Sequence, residues 1–190
     1  MSKPISSGTP IRRRITLRRL LFGSALADQG WAVNLAWALF RLHIGLSIAI
    51  GAGWSKLINK LDADQALPWS WSNIRFGVGP WFVDQVAGLG FTYPSPRFWA
   101  LAAAWGELVG GLGIAIGLLT RWNGIQLAVQ FFVIAFLWYN APTPVVGMYY
   151  QQLLFWGYLL VACMGGGRLS LDHLLTARGP VVGPAGGDRI

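Results

Sequence analysis

Three ionisable side chains stand inside apolar stretches of this sequence. Glu107 interrupts the otherwise charge-free run Phe98–Leu119, while Arg41 and His43 lie near the middle of Ala32–Trp54. An ionised group in hydrocarbon costs roughly 3 kcal/mol on insertion scales, so such residues turn inward, find partners and mark function by default. Three chemistries fit these residue types. Glu107 or His43 could carry a proton at a quinone or proton site, with Arg41 holding the carboxylate ionised. Arg41 could instead anchor an anionic substrate directly. Or the charges pair to set helix register and bind no ligand; such a pair is a poor source of stability, because desolvation offsets its attraction. His43 taken alone reads most simply as a histidine satisfied against a neighbouring helix.

Membrane-spanning helices are the elements that must hold these residues. About 20 mostly apolar residues cross a bilayer, and four segments meet or approach that length, near 32–54, 98–119, 122–139 and 149–165. The expected architecture is an all-α membrane protein, a four-transmembrane-helix bundle over residues 31–175. A long external loop, Ser55–Arg97, joins its first two helices. Residues 1–30 form a basic cytoplasmic segment and 176–190 a flexible C-terminal tail. Only Thr120 and Arg121 separate the second and third spans, which requires a tight hairpin. The prolines in Asn140–Met148 break any helix there. Short helices on the membrane surface are expected in the long loop, and an amphipathic helix on the cytoplasmic leaflet at Ile11–Ala27. Lysines and arginines crowd the N-terminal tail and recur at Arg121, Arg168, Arg178 and Arg189. The long loop holds fewer (Lys56, Lys60, Arg75 and Arg97), so the positive-inside rule puts both termini in the cytoplasm.

This topology sets depth. At 1.5 Å per residue, Arg41 and His43 lie ~13–17 Å from the cytoplasmic boundary, and Glu107 ~16 Å from it when counted from the other side. Opposite charges at one level on adjacent spans are expected to pair, which predicts an Arg41–Glu107 contact. Small residues support it. Gly45, Ala49 and Gly53 continue the Arg41 face, and Gly106, Gly110 and Gly111 surround Glu107. Small-xxx-small rows let membrane helices approach closely. Gln126 and Gln130 share a face of the third span, and Gln130 reaches the depth of Glu107 as a third member of a polar cluster.

Composition agrees with a membrane location and narrows the chemistry. Hydrophobic residues make up 54% of the chain and charged ones 12%, with a mean hydropathy of +0.49; a soluble domain carries about 25% charged residues. The 11 tryptophans suit membrane interfaces. The net charge of +8 comes from the tail and the helix ends rather than from a basic patch interleaved with aromatics, so lipid contact is expected and nucleic acid is not. Two histidines and one cysteine, Cys163, offer no metal or haem ligand set and no intramolecular disulfide. The glycines at 165–167 read as a helix stop.

Taken in order, several pieces resemble the DoxX family of small four-helix bacterial membrane proteins, which includes the DoxD-like subunit of thiosulfate:quinone oxidoreductase. The matching pieces are Arg41 to Gly45 with Gly51-Ala-Gly-Trp-Ser-Lys-Leu57, then Glu107-Leu-Val-Gly-Gly111 leading to Gly117-Leu-Leu-Thr-Arg121. Gly167-Arg168-Leu-Ser-Leu-Asp172 follows the fourth helix. They run over roughly 35–175, and the basic N-terminal tail has no counterpart among them. The resemblance implies a bacterial inner (cytoplasmic) membrane protein. It further implies oxidation of thiosulfate to tetrathionate with electrons passed to membrane quinone, in company with other membrane-protein subunits. Lys56, Arg75 and Arg97, together with Lys60, would then be the cations for a divalent anion at the outer face. Quinone would enter near Trp105, Trp138 or Trp156. The alternative is a non-catalytic scaffold or accessory subunit of a larger membrane complex.

Overall fold

The computed structural model describes residues 22–60, 74–138 and 150–177. Helix α1 runs Trp31–Leu57 in three parts: α-helical over Trp31–Ile48, π-helical over Ala49–Trp54, and a last turn at Ser55–Leu57. The wider π turn frees carbonyls from their usual partners, and the Ser55 hydroxyl donates to two of them, Gly51 O at 2.7 Å and Ala52 O at 3.0 Å. Strands β1 (Ile58–Lys60) and β2 (Ile74–Phe76) pair antiparallel, with Ile58 opposite Phe76 and Asn59 opposite Arg75. Helix α2 spans Pro80–Gly88. Helix α3 (Pro96–Ile116) begins at a Ser95 cap that accepts from Phe98 N and ends on Gly117, whose φ of 74° lets the chain reverse. Helix α4 (Thr120–Phe132) continues as π-helix over Val133–Trp138; α5 is Tyr150–Met164 and α6 is Leu171–Ala177.

α1 packs on α3, α3 on α4, and α4 on α5. The Tyr158 hydroxyl donates to Ile44 O and so ties α5 back to α1. The shared core holds Ile48, Ile114, Leu127, Phe131 and Val161. A second core, with Leu57, Phe82, Val86 and Ala104, lies where α2 folds over α3. We call the end carrying β1, β2 and α2 the loop end, and the end carrying residues 22–30 and α6 the tail end. The exterior is apolar along every bundle helix: Leu39, Ile50, Val109, Val129, Leu153 and Trp156 are all exposed. Among the described residues, α1 and α3 are long and apolar enough to cross a membrane.

Some expectations need correction. The chain is all-α in character, with one small addition: the long loop carries the three-residue β1–β2 ribbon, extended by Gly77 N donating to Leu57 O at 2.9 Å. Pairing satisfies backbone groups that a covered loop would otherwise strand. Ser55 and Lys56 belong to α1 rather than to the loop. The α3–α4 turn is Gly117–Leu119, and Thr120 and Arg121 are already helical. Residues 25–28 form a turn, whereas most of the expected Ile11–Ala27 helix, the Asn140–Met148 loop and the end of the chain lie outside the described residues. Gly165 and Gly167, with φ near 75°, do stop α5.

Candidate functional site

Glycine contact sets the register of α1 against α3. A Cβ on Gly45 would stand 2.5 Å from Gly111 O, one on Gly111 2.8 Å from Ala49 N, and one on Gly53 2.5 Å from Leu108 N. The backbones touch, and Gly53 is brought level with Glu107. One turn beyond, Lys56 reaches across. Its Nζ donates to both Oε1 and Oε2 of Glu107 at 2.6 Å. The carboxylate is fully buried, and the lysine side chain is 17% exposed. From the other flank, Gln130 of α4 donates through Nε2 to Glu107 Oε1 and to Ala103 O, both at 3.0 Å. Gln126, one turn earlier, donates to Gln130 Oε1 at 3.0 Å. α3 therefore carries two small-residue faces. Gly111 serves α1, whereas Gly106 and Gly110 make room for the Gln126 amide, which a Cβ on either would meet at 2.5–2.6 Å.

The expected Arg41–Glu107 pair does not form. Counting from the ends of two apolar runs assumes that both start at one plane; the glycine contacts impose a different offset. Arg41 instead meets the end of α3, donating from Nη1 to Ile114 O at 2.8 Å and from Nη2 to Leu169 O at 2.7 Å. Ile114 lies seven residues past Glu107, ~10 Å along the helix. Arg41 thus belongs to a separate tail-end network with Asp172. The Asp172 carboxylate accepts from Leu119 N (2.7 Å), Thr120 N (2.8 Å) and the Thr120 hydroxyl (2.8 Å), capping α4. Arg121 donates to Cys163 O at the end of α5. Buried Asn34, unremarked in the sequence, accepts from Arg168 N at 2.7 Å.

A cavity of about 490 Å³ adjoins the Glu107 cluster, between α3 and α4 and beneath α2. Phe82, Trp99, Trp122 and Trp138 form its aromatic walls, and Gln126 and Gln130 are its polar groups. Its volume falls within the ~300–1,000 Å³ of small-molecule sites, which are mostly apolar with a few placed polar groups. Lys56 Nζ sits 5.0 Å from the centre of the Phe82 ring, so this wall separates the ion pair from the cavity. Both π-helical segments end at the site, one delivering Lys56 and the other Trp138; π turns recur at functional sites. A planar apolar ring with oxygen substituents, as in a quinone, fits these walls and amides.

Other expected residues stand apart. His43 is exposed on the outward face of α1, away from the fully buried Glu107. Lys56 has its charge engaged by Glu107. Arg97 is exposed in the first turn of α3, and the side chains of Lys60 and Arg75 lie outside the described residues. Of the three tryptophans expected near a ligand, Trp138 lines the cavity, whereas Trp105 and Trp156 face outward. No group of three or more metal-ligating side chains occurs among the described residues. A family model described as DoxX matches residues 36–140, taking in Arg41, Lys56, Glu107 and Gln130 but stopping short of Asp172. No curated protein and no solved structure matches the chain significantly.

Proposed function

The chain belongs to the DoxX family, and we propose that it is the quinone-binding membrane subunit of a redox system. All four bundle helices cross the inner membrane in this reading, with the tail end cytoplasmic. What carries it is the coupling of an aromatic cavity to a buried carboxylate: Gln130 lines the cavity and donates directly to Glu107. Phe82, Trp99 and Trp138 would hold the ring of a quinone, and the remaining amide hydrogen of Gln126 would engage one of its oxygens. When bound, a quinone supplies an acceptor for electrons together with protons. Glu107 is placed to hold a proton beside it, with Lys56 favouring the ionised form and giving the pair a route to the loop end. Thiosulfate, the electron donor that the resemblance implies, would be met at the loop end by Arg97, Lys60 and Arg75, in company with a partner subunit.

The test is retention of quinone. Organic extraction of the protein purified in mild detergent is expected to yield quinone in a fixed molar ratio. Ala102→Trp, which places an indole at the cavity wall where Ala102 is exposed, is expected to lose that quinone while still inserting and folding. Equal retention by this variant and the wild type would sink the site.

A further inference from the structure

The hydrogen bonds behind the cavity wall all run in one direction. Ala103 O can only accept and Glu107 Oε1 accepts beside it, so the Gln130 amide turns its NH2 toward both. Its Oε1 then faces Gln126, whose NH2 donates to it. The donors engaged within the chain Gln126–Gln130–Glu107 all point inward. The cavity end of the chain is Gln126, whose Oε1 accepts no hydrogen bond among the described residues and whose second amide hydrogen is unused.

Building on the quinone reading above, we propose that this cavity prefers the reduced, hydroxyl-bearing ring (a quinol) over the quinone, with Gln126 as the selecting residue. A hydroxyl can donate to Gln126 Oε1 and accept from the remaining amide hydrogen. A carbonyl can only accept, so it leaves Gln126 Oε1 without a donor. The preference is held from a distance, because Ala103 O and Glu107 Oε1 keep the Gln130 amide, and through it the Gln126 amide, turned inward. Gln130 is thus a positioning residue for the selectivity at Gln126.

The test uses the full chain in phosphatidylcholine nanodiscs under argon, titrated with decylubiquinol and with decylubiquinone. Quenching of Trp99, Trp122 and Trp138 is read against empty nanodiscs. The wild type is expected to bind the quinol about five- to tenfold more tightly, the worth of one hydrogen bond, and Gln126→Leu to bring the two affinities within about twofold of each other. Equal affinities in the wild type, or tighter binding of the quinone, would overturn the preference and leave the quinone site standing. A preference that survives Gln126→Leu would overturn the role of Gln126. Saturable binding of neither form would overturn the quinone reading and the preference with it.

Discussion

Glu107 illustrates how a buried charge takes its meaning from its partners. An ionised carboxylate with no exposure needs a cation and hydrogen bonds, and it has Lys56 on one flank and Gln130 on the other. Removing one member of a buried pair costs about 3–5 kcal/mol, more than the pair contributes when intact, because the survivor is left in low dielectric. Lys56→Met strands the fully enclosed carboxylate, so it is expected to lower the thermal midpoint in detergent strongly. Glu107→Gln leaves a lysine that already reaches the surface and keeps a neutral partner for Gln130, so it is expected to unfold close to the wild type. The double variant Lys56→Met/Glu107→Gln should recover most of what Lys56→Met alone loses. Additive losses in that cycle would refute the pairing.

Close approach governs the elements. α1 and α3 touch backbone to backbone at Gly45, Gly53 and Gly111, which is how helices without a hydrophobic drive between them gain packing in a bilayer. Adjacent glycines should therefore respond differently. A methyl at Gly111 meets the α1 backbone, which cannot move without separating the helices, so Gly111→Ala is expected to destabilise by about 1–3 kcal/mol. At Gly110 the same methyl meets the end of the Gln126 side chain, which can rotate. The Leu127 side chain at 3.3 Å must also give slightly, so Gly110→Ala is expected to lose less stability than Gly111→Ala while weakening ligand binding at the cavity. Thermal unfolding and the quinol titration, run on both variants, separate the two faces; equal thermal losses would contradict the assignment.

Across the whole molecule two polar networks stand at different levels of one apolar bundle. The tail-end network, with Arg41, Asp172 and Thr120, ties α1 and the end of α3 to Leu169 before α6, and the start of α4 to Asp172 in the first turn of α6. The other joins α1, α3 and α4 around Glu107 and faces the cavity. Separate networks predict separable effects. Asp172→Ala strands Leu119 N and Thr120 N and removes the carboxylate beside Arg41, so it is expected to cost about 2–4 kcal/mol. Its quinol affinity in nanodiscs should nonetheless remain within about twofold of the wild type. A matching loss of affinity would mean that the two networks act as one.

Much of this was legible in the residues. Apolar runs of spanning length, glycine rows at helical spacing and a lone glutamate are local patterns, and hydrocarbon leaves a chain few ways to satisfy them. The helices, the α1–α3 contact face, the Gln130–Glu107 contact and the stop at Gly165 all follow from such patterns. The partner of Glu107 does not. Lys56 lies beyond the apolar run and reads as loop, and the continuation of α1 to Leu57 together with the glycine-set offset brings it across to α3. That same offset sends Arg41 to the α3 terminus, a displacement of about two turns that residue counting from run ends has no means to detect. The cavity likewise arises where α2 folds back over α3 and α4, out of side chains distant in sequence. Sequence alone therefore determined that a buried glutamate would be held between packed helices, because burial of charge is a local cost. Tertiary structure decided which cation answers it and what space lies beside it, because those depend on how helices slide against one another.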